Sequence, residues 1–74
     1  MRWDEEIVAT GLLCPLPVLK ARKRLKTMAS GAVLRVLADD PAAVIDMPHF
    51  CAEQGHTLLE ASAQNPQSYL IQKG

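Results

Sequence analysis

The stretch EEIVATGLLCPLPVLKARKRLKTMASGAVLRVLA at residues 5–38 decides the fold. Its two ends, residues 5–9 and 33–38, are short and rich in aliphatic and β-branched residues, which is typical of strands. Between them, a helix is predicted from Pro15 to Ala29, because apolar residues fall within an arc of about 100° on a helical wheel. The members of this sheet-facing arc are Val18, Ala21, Leu25, Met28 and Ala29. A strand, a helix and a strand in this order predict two parallel strands joined by a right-handed crossover.

A second helix is predicted from Asp40-Pro41 to Gln54. Aspartate at that position accepts hydrogen bonds from free N–H groups, and proline tolerates the first helical position. Pro48 lies inside the segment, so we expect a kinked or broken helix whose firmer part begins near Met47. The residues expected to face inward are Val44, Met47 and Cys51.

The remaining strand signals lie at residues 57–63 and 68–72, and the turn sequence NPQ at 65–67 predicts that they form a hairpin. The predicted order is therefore βαβαββ. The economical architecture for it is an α/β (α+β) two-layer sandwich, in which two helices cover one face of a four-stranded mixed sheet. Residues 1–74 are predicted to form one domain, since so short a chain hides only about 60% of the surface it exposes when unfolded.

The charge distribution is uneven although the net charge is zero. Residues 1–38 carry seven Lys/Arg against three Asp/Glu, whereas residues 39–74 carry one against five. This separation favours docking to a complementary protein surface. It falls short of the overall basicity of dedicated nucleic-acid binders, so we expect no direct contact with nucleic acid.

The chain has 49% hydrophobic and 22% charged residues, which is ordinary for a soluble globular protein. No apolar run is long enough to span a bilayer, and MRWDEEI at the N-terminus is too acidic for a secretory signal. Two cysteines do not make a disulfide framework and fit free thiols in a reducing compartment. We therefore expect a cytoplasmic protein with no membrane partner.

Cys14 stands immediately before a proline at the start of the first helix. A residue before proline is pushed toward extended backbone angles, so Cys14 is predicted to be the N-cap, with its sulfur at the positive end of the helix dipole. The hypothesis is a lowered thiol pKa. Pro15 and Pro17 are expected to stiffen the turn and hold the sulfur outward. Residue type alone favours the alternative of a buried cysteine beside helix-starting prolines.

The segments GLLCPLPVLKARKRL at 11–25 and ADDPAAVIDMPHFCAEQGHTLL at 38–59 resemble the TusA-type (SirA-like) sulfur-carrier family. Members of that family pair a Cys-Pro-x-Pro motif (CPxP) with a downstream Asp-Pro and an Asp-x-Pro-x-aromatic-Cys segment. Gly11 and the C-terminal YLIQKG add to the likeness, which covers nearly the whole chain. The family's fold is a two-layer sandwich of order βαβαββ, in agreement with the order predicted from the residues.

The resemblance implies that Cys14 carries a persulfide, with Gly11, Pro15 and Pro17 in supporting roles. It would accept sulfane sulfur from a cysteine desulfurase or another donor and pass it to a reactive cysteine of a relay or acceptor protein. Such a sulfurtransferase-type carrier, unlike a multiple-turnover small-molecule enzyme, needs no metal and no cofactor, since thiol exchange uses sulfur as both nucleophile and leaving group. In the best-known branch of the family the sulfur serves 2-thiolation of the tRNA wobble uridine, the acceptor pathway expected here; relatives serve sulfur oxidation and molybdenum-cofactor enzyme maturation.

A stripe along the first helix is the predicted partner-binding surface. Leu19, Arg22 and Lys26 recur at i, i+3 and i+7 beside the core face. Asp40 is first a cap, and the resemblance makes it a docking residue as well. The alternative for the cations is a solvated helix, which is preferred for Lys20, Lys23 and Arg24.

The other chemically active side chains have structural explanations. Cys51 lies on the predicted inward face and is interpreted as a core cysteine. The spacing of His49 and His56 with the two cysteines matches no standard zinc pattern, so no metal site is predicted. The isolated aromatics are expected in the core or at an edge; they are Trp3, Phe50 and Tyr69.

Two other functions stay open at this point. One is a regulatory or RNA-binding α/β module, in which the basic helix contacts phosphate and Cys14 is incidental. The other is a redox switch that joins Cys14 to Cys51. A monomer is expected, with weak self-association left open by the zero net charge.

Overall fold

Six elements alternate along residues 2–74, the part of the chain that the computed structural model describes. They are β1 (Glu5–Val8), α1 (Leu16–Leu25), β2 (Val33–Ala38), α2 (Ala43–Gln54), β3 (Thr57–Ser62) and β4 (Gln67–Gln72). The strands form one sheet in the order β1-β2-β4-β3. β1 pairs with β2 in parallel, whereas β4 pairs antiparallel with both β2 and β3. The βαβαββ order, the mixed sheet and the C-terminal hairpin are confirmed.

One face of the sheet carries the hydrophobic core. In β2, Leu34, Val36 and Ala38 are fully buried and alternate with half-buried residues, as one covered face requires. The register sets Val36 beside Ile7 of β1 and Tyr69 of β4. Both helices add side chains to this cluster, namely Ala21 and Leu25 from α1 and Ala43, Met47, Phe50 and Cys51 from α2. The two helices therefore cover the same face of the sheet, as predicted.

α1 ends earlier than expected. The prediction extended it to Ala29, but the helix stops at Leu25 and Ala29 is exposed. The cause is a tightened last turn, in which the backbone N–H and the hydroxyl of Thr27 both donate to the carbonyl of Arg24. Lys73 from the C-terminus donates to the carbonyl of Leu25 at 2.7 Å, which satisfies the last residue of the helix.

α2 differs from its prediction at its start, at Pro48 and at Val44. It begins at Ala43, two residues after Pro41, and it runs unbroken through Pro48. Proline removes the N–H that would bond the carbonyl of Val44, yet both residues are exposed, so water can reach that carbonyl. The expected inward position of Val44 is wrong, since it is 45% exposed. The predicted end before Gly55 is confirmed, with that glycine in the left-handed conformation at φ 74°.

The strand limits differ from the predictions by one residue at β1, β3 and β4, and agree at β2. A register irregularity lies between Leu58 and Glu60, so β3 departs from a regular ladder there. Within residues 2–74, no helix is both long enough and apolar enough to cross a membrane.

A buried hydrogen-bond chain ties β4 to the segment that precedes α2. The Tyr69 hydroxyl donates to Gln67 Oε1 at 2.5 Å, and Gln67 Nε2 donates to the backbone carbonyl of Asp40 at 3.0 Å. Tyr69 and Gln67 are both buried. These bonds hold Asp40 against the end of the sheet from the core side.

Replacing Tyr69 with Phe should destabilise the fold by about 1 kcal/mol, because Gln67 Oε1 would stay buried without its donor. Urea unfolding followed by far-UV circular dichroism measures this loss. Ser30→Ala is the matched control: it removes an exposed hydroxyl bond to the carbonyl of Gly74 and should change stability by less than about 0.5 kcal/mol. Equal small effects of the two substitutions would contradict a stabilising role for the buried chain.

Candidate functional site

Cys14 lies in the loop between β1 and α1, and its thiol is free and exposed. The N–H of Leu16 donates to the carbonyl of Leu13 at 2.8 Å, which closes a tight turn around Cys14 and Pro15. The peptide bond between those two residues is cis. The predicted N-cap role of Cys14 is wrong: the turn closes first, Pro15 occupies the cap position, and no side chain caps the helix.

The carboxylates of Asp39 and Asp40 hold this loop by hydrogen bonds to its backbone. Asp39 Oδ1 accepts a hydrogen bond from the backbone N–H of Gly11 at 2.9 Å, and Asp40 Oδ2 accepts one from the N–H of Cys14 at 2.6 Å. Both aspartates follow β2 directly. Because β1 and β2 are parallel, their carboxyl ends meet at one edge of the sheet, which brings the loop and the carboxylates together. Gly11 has φ 80°, a left-handed conformation that favours glycine.

Asp40 occupies a different position from the one expected of a docking residue. It is only 9% exposed, and its two carboxylate oxygens receive the N–H groups of Cys14 and, at 3.3 Å, Ala42. The bond to Ala42 agrees with the predicted capping role. The carboxylate therefore binds backbone N–H groups of the Cys14 loop and of Ala42, and little of its surface is left for a partner.

A groove of about 210 Å³ opens beside Cys14, between the start of α1 and the outer side of α2. We call it the Cys14 groove. Its lining residues are Cys14, Pro15 and Val18 on one side and Asp46, His49, Phe50 and Glu53 on the other. His49 Nε2 lies 3.5 Å from Glu53 Oε2, one helical turn away along α2. The groove thus joins an exposed thiol to a wall with two carboxylates.

The pKa of the Cys14 thiol is raised above its ordinary value. Hydrogen bonding of the thiol to Asp46 is the main cause, followed by partial desolvation and by the negative charges of Asp46 and Asp40. The lowered pKa predicted from the helix dipole is therefore wrong. Cys14 is not the helix cap, the basic side chains of α1 begin only at Lys20, and the charges nearest the sulfur are acidic.

All three residues of the predicted stripe on α1 are exposed. Leu19 is 47% exposed, and in the described part of the chain neither Arg22 nor Lys26 forms a salt bridge. Two other cations on this helix contact β1: Lys20 Nζ donates to the carbonyl of Val8 at 2.8 Å, and Arg24 pairs with Glu5 at 3.1 Å. Those two were expected only to point into solvent.

Cys51 is a core residue, as predicted. It is 2% exposed, and burial raises its pKa to about 11. Phe50 and Tyr69 are also buried, whereas Trp3 is 41% exposed with the Arg35 guanidinium 4.4 Å above its ring. The described residues hold no cluster of three or more His, Cys, Asp or Glu side chains suited to a metal ion.

The residues that sequence reasoning missed lie around Cys14. Asp39 was not singled out, although a paired aspartate directly after a strand was visible in ADDP. Asp46 was noted only as part of a motif, because its contact with Cys14 spans 32 positions. Apolar side chains beside the site also escaped notice, among them Leu13, 69% exposed, Leu16, 49% exposed, and Ile45, 75% exposed.

Comparison with known proteins adds two findings. Residues 5–73 match the protein family described as Sulfurtransferase TusA, a span that contains Cys14 and the whole Cys14 groove. The crystal structure of a SirA-like protein from Desulfitobacterium hafniense is similar, with a TM-score of 0.76 and 25% sequence identity. The similarity covers 93% of this chain and 95% of that chain.

The two thiols should react differently with iodoacetamide. Under native conditions we expect alkylation of Cys14 alone, with an apparent pKa above the value of about 8.5 for free cysteine. Cys51 should react only after denaturant is added, because it is buried. Its raised folded-state pKa also means that its contribution to stability is complete below the unfolded pKa and is lost as the pH rises toward about 11. Intact mass and peptide mapping count and locate the adducts; rapid native labelling of Cys51 would contradict its placement.

Proposed function

The chain belongs to the sulfurtransferase TusA family and so is a sulfur carrier in a sulfur relay, and we propose that Cys14 carries the sulfur as a persulfide. One observation supports this assignment above the others. Of the two thiols, only Cys14 is exposed, and its loop is fixed by carboxylates at Gly11 and at Cys14 itself. Cys51 is buried in the core and offers no access to a partner.

The chemistry we propose is thiol–persulfide exchange. Cys14 loses its thiol proton, and the thiolate attacks the terminal sulfur of a persulfide on the donor, a cysteine desulfurase. A sulfur–sulfur bond forms on Cys14, the sulfur–sulfur bond of the donor breaks, and the donor cysteine leaves as a thiolate that takes up a proton. An acceptor cysteine then repeats the attack on the terminal sulfur, and Cys14 is the leaving group. No external oxidant or reductant is consumed.

The loop residues have positioning roles in this proposal. Gly11 supplies the left-handed turn, and Pro15 and Pro17 restrict the backbone on the far side of Cys14. Asp40 positions Cys14 through its backbone N–H, and at 9% exposed it presents little surface to a partner. A loop ordered before the encounter loses less conformational entropy when a partner docks.

The stripe of Leu19, Arg22 and Lys26 is the proposed docking surface. Arg22 lies one helical turn beyond Val18, which lines the Cys14 groove, so the stripe runs from the groove along α1. Exposed cations with an exposed leucine suit a partner surface that is acidic with an apolar centre. Charges of this kind act mainly on the rate of association.

We assign the carrier to 2-thiolation of the tRNA wobble uridine, on the strength of the resemblance to the best-known branch of the family. A relay protein with a reactive cysteine would take the sulfur, so the monomeric carrier would work in the cytoplasm without touching the tRNA. A sulfur-oxidation relay would use the same chemistry at Cys14 and differs only in the acceptor. An RNA-binding module is less well supported, because Lys20 and Arg24 are engaged with β1, which leaves fewer cations on this helix for phosphate.

Incubation with a cysteine desulfurase and cysteine should add one sulfur atom to the protein. We expect the adduct on wild type and on Cys51→Ser, and none on Cys14→Ser, because only Cys14 is accessible. Intact mass under non-reducing conditions measures it, and a reductant should remove it. Far-UV circular dichroism shows that each variant is folded. An adduct that persists in Cys14→Ser would overturn the assignment of the carrier residue.

Reversing the charges at Arg22 and Lys26 should slow loading from the desulfurase by about tenfold, because association would lose its electrostatic attraction. Lys23→Glu, compared with Arg22→Glu alone so that both variants change the net charge equally, is the matched control: it reverses a charge on the same helix outside the stripe and should retain more than half of the wild-type rate. The measurement is the initial rate of persulfide formation at low salt. Equal losses in both variants would show that overall charge matters and that the stripe does not.

A further inference from the structure

Asp46 faces Cys14 from the opposite wall of the Cys14 groove. The two residues are 32 positions apart, and the bond from Cys14 to Asp40 brings the loop against the first turns of α2. Asp46 is half-buried, it lines the same groove as Cys14, and its carboxylate is the main cause of the raised pKa of the Cys14 thiol. The reacting sulfur atom of the carrier therefore shares its groove with a carboxylate that the proposed exchange does not yet use.

The other charged groups near the sulfur do not offset Asp46. Asp40 lies on the loop side and is itself an anion. On α2, Glu53 is a second anion in the groove, and His49 is paired with it at 3.5 Å. No lysine or arginine among the described residues lines the groove. A thiolate on Cys14 would thus lie near the carboxylates of Asp40, Asp46 and Glu53, with no lysine or arginine of the described chain in the groove while the carrier is alone.

We propose that Asp46 is a specificity-determining residue for sulfur transfer: its negative charge disfavours the Cys14 thiolate until a docked partner presents a positively charged side chain to the groove. The proposal rests on the assignment of Cys14 as the carrier residue. When that cation pairs with Asp46, it offsets the negative charge that disfavours the Cys14 thiolate. A small persulfide such as that of glutathione does not dock, so none of its groups is positioned to pair with Asp46, and it meets a protonated thiol.

The exchange step needs no further reagent when Asp46 has this role. The Cys14 thiol gives its proton to solvent once the partner's cation is in place, and the thiolate attacks the terminal sulfur of the donor persulfide. The bond from Cys14 to that sulfur forms as the donor bond breaks, and the donor thiolate takes a proton from solvent. Asp46 keeps its charge throughout, so it selects the partner and is not a proton carrier.

Asp46→Asn removes the charge and keeps the size of the side chain, and Glu53→Gln is the matched control in the same groove. Two readouts are needed. The first is the rate of Cys14 alkylation by iodoacetamide over a pH series. The second is the initial rate of sulfur loading, by intact mass, from two donors: a cysteine desulfurase with cysteine, which docks, and glutathione persulfide, which does not.

We expect Asp46→Asn to raise alkylation near neutral pH, and loading from glutathione persulfide, by about threefold or more. The gain in thiolate is partly offset by the lower nucleophilicity of a more acidic thiol. Loading from the desulfurase should change by less than about twofold, because the docked partner has already neutralised Asp46. Glu53→Gln should leave all three rates near those of wild type.

Two results would overturn the role of Asp46 alone: alkylation of Asp46→Asn identical to wild type, or an equal rise in loading from both donors. The second would make Asp46 a general brake on the thiol with no selectivity. A wild-type protein that alkylates normally but takes sulfur from neither donor would contradict the carrier function itself. The outcomes separate the two proposals because alkylation does not depend on sulfur transfer.

Discussion

The hydrogen bond from the backbone N–H of Cys14 to Asp40, 2.6 Å long, is the interaction on which the site depends. Asp40 is fixed from the core by Gln67 and Tyr69, so the bond transmits the rigidity of the sheet to an exposed loop. It also joins the loop to the segment that precedes α2, and the Cys14 groove lies between this loop and that helix. The parallel pairing of β1 and β2 makes the bond possible, since it sets the end of one strand beside the end of the other.

The same arrangement sets the electrostatics of the thiol. A loop held by carboxylates is well positioned, but the carboxylates disfavour the thiolate, and Asp46 adds the largest effect. A nucleophilic cysteine in an enzyme is ordinarily activated by cations or a helix N-terminus. A carrier has a different requirement, because its sulfur must stay unreactive between partners. An acidic surrounding meets that requirement, and reactivity then comes from the protein that docks.

Local patterns were enough to predict most of the fold. The alternation in β2 and the strand–helix–strand order gave the sheet its first pair, and the apolar arc of α1 was right except at Ala29, where a tightened turn had already ended the helix. The site was harder. Cys14 and Gly11 were identified from the family motif. The predicted N-cap role of Cys14 and its predicted lowered pKa were wrong. Asp39, Asp40 and Asp46 set the position of the loop and the pKa of the thiol, and they lie 26 to 32 positions away in the sequence. Such contacts depend on topology, which a local pattern does not contain.

The basic and acidic halves of the sequence form separate surfaces in the fold. The basic half contributes α1, with Arg22 and Lys26 free on its exposed side, and the acidic half contributes the wall of the groove with Asp46 and Glu53. The two surfaces adjoin at the start of α1, where Cys14 lies. A partner that matched only the cations would approach without releasing the thiol, and one that matched only the groove would lack the attraction that speeds encounter. A partner that must match both the cations of the stripe and the carboxylates of the groove meets a stricter condition than one that matches a single surface. Because the groove contains Cys14, partners are selected beside the reacting sulfur.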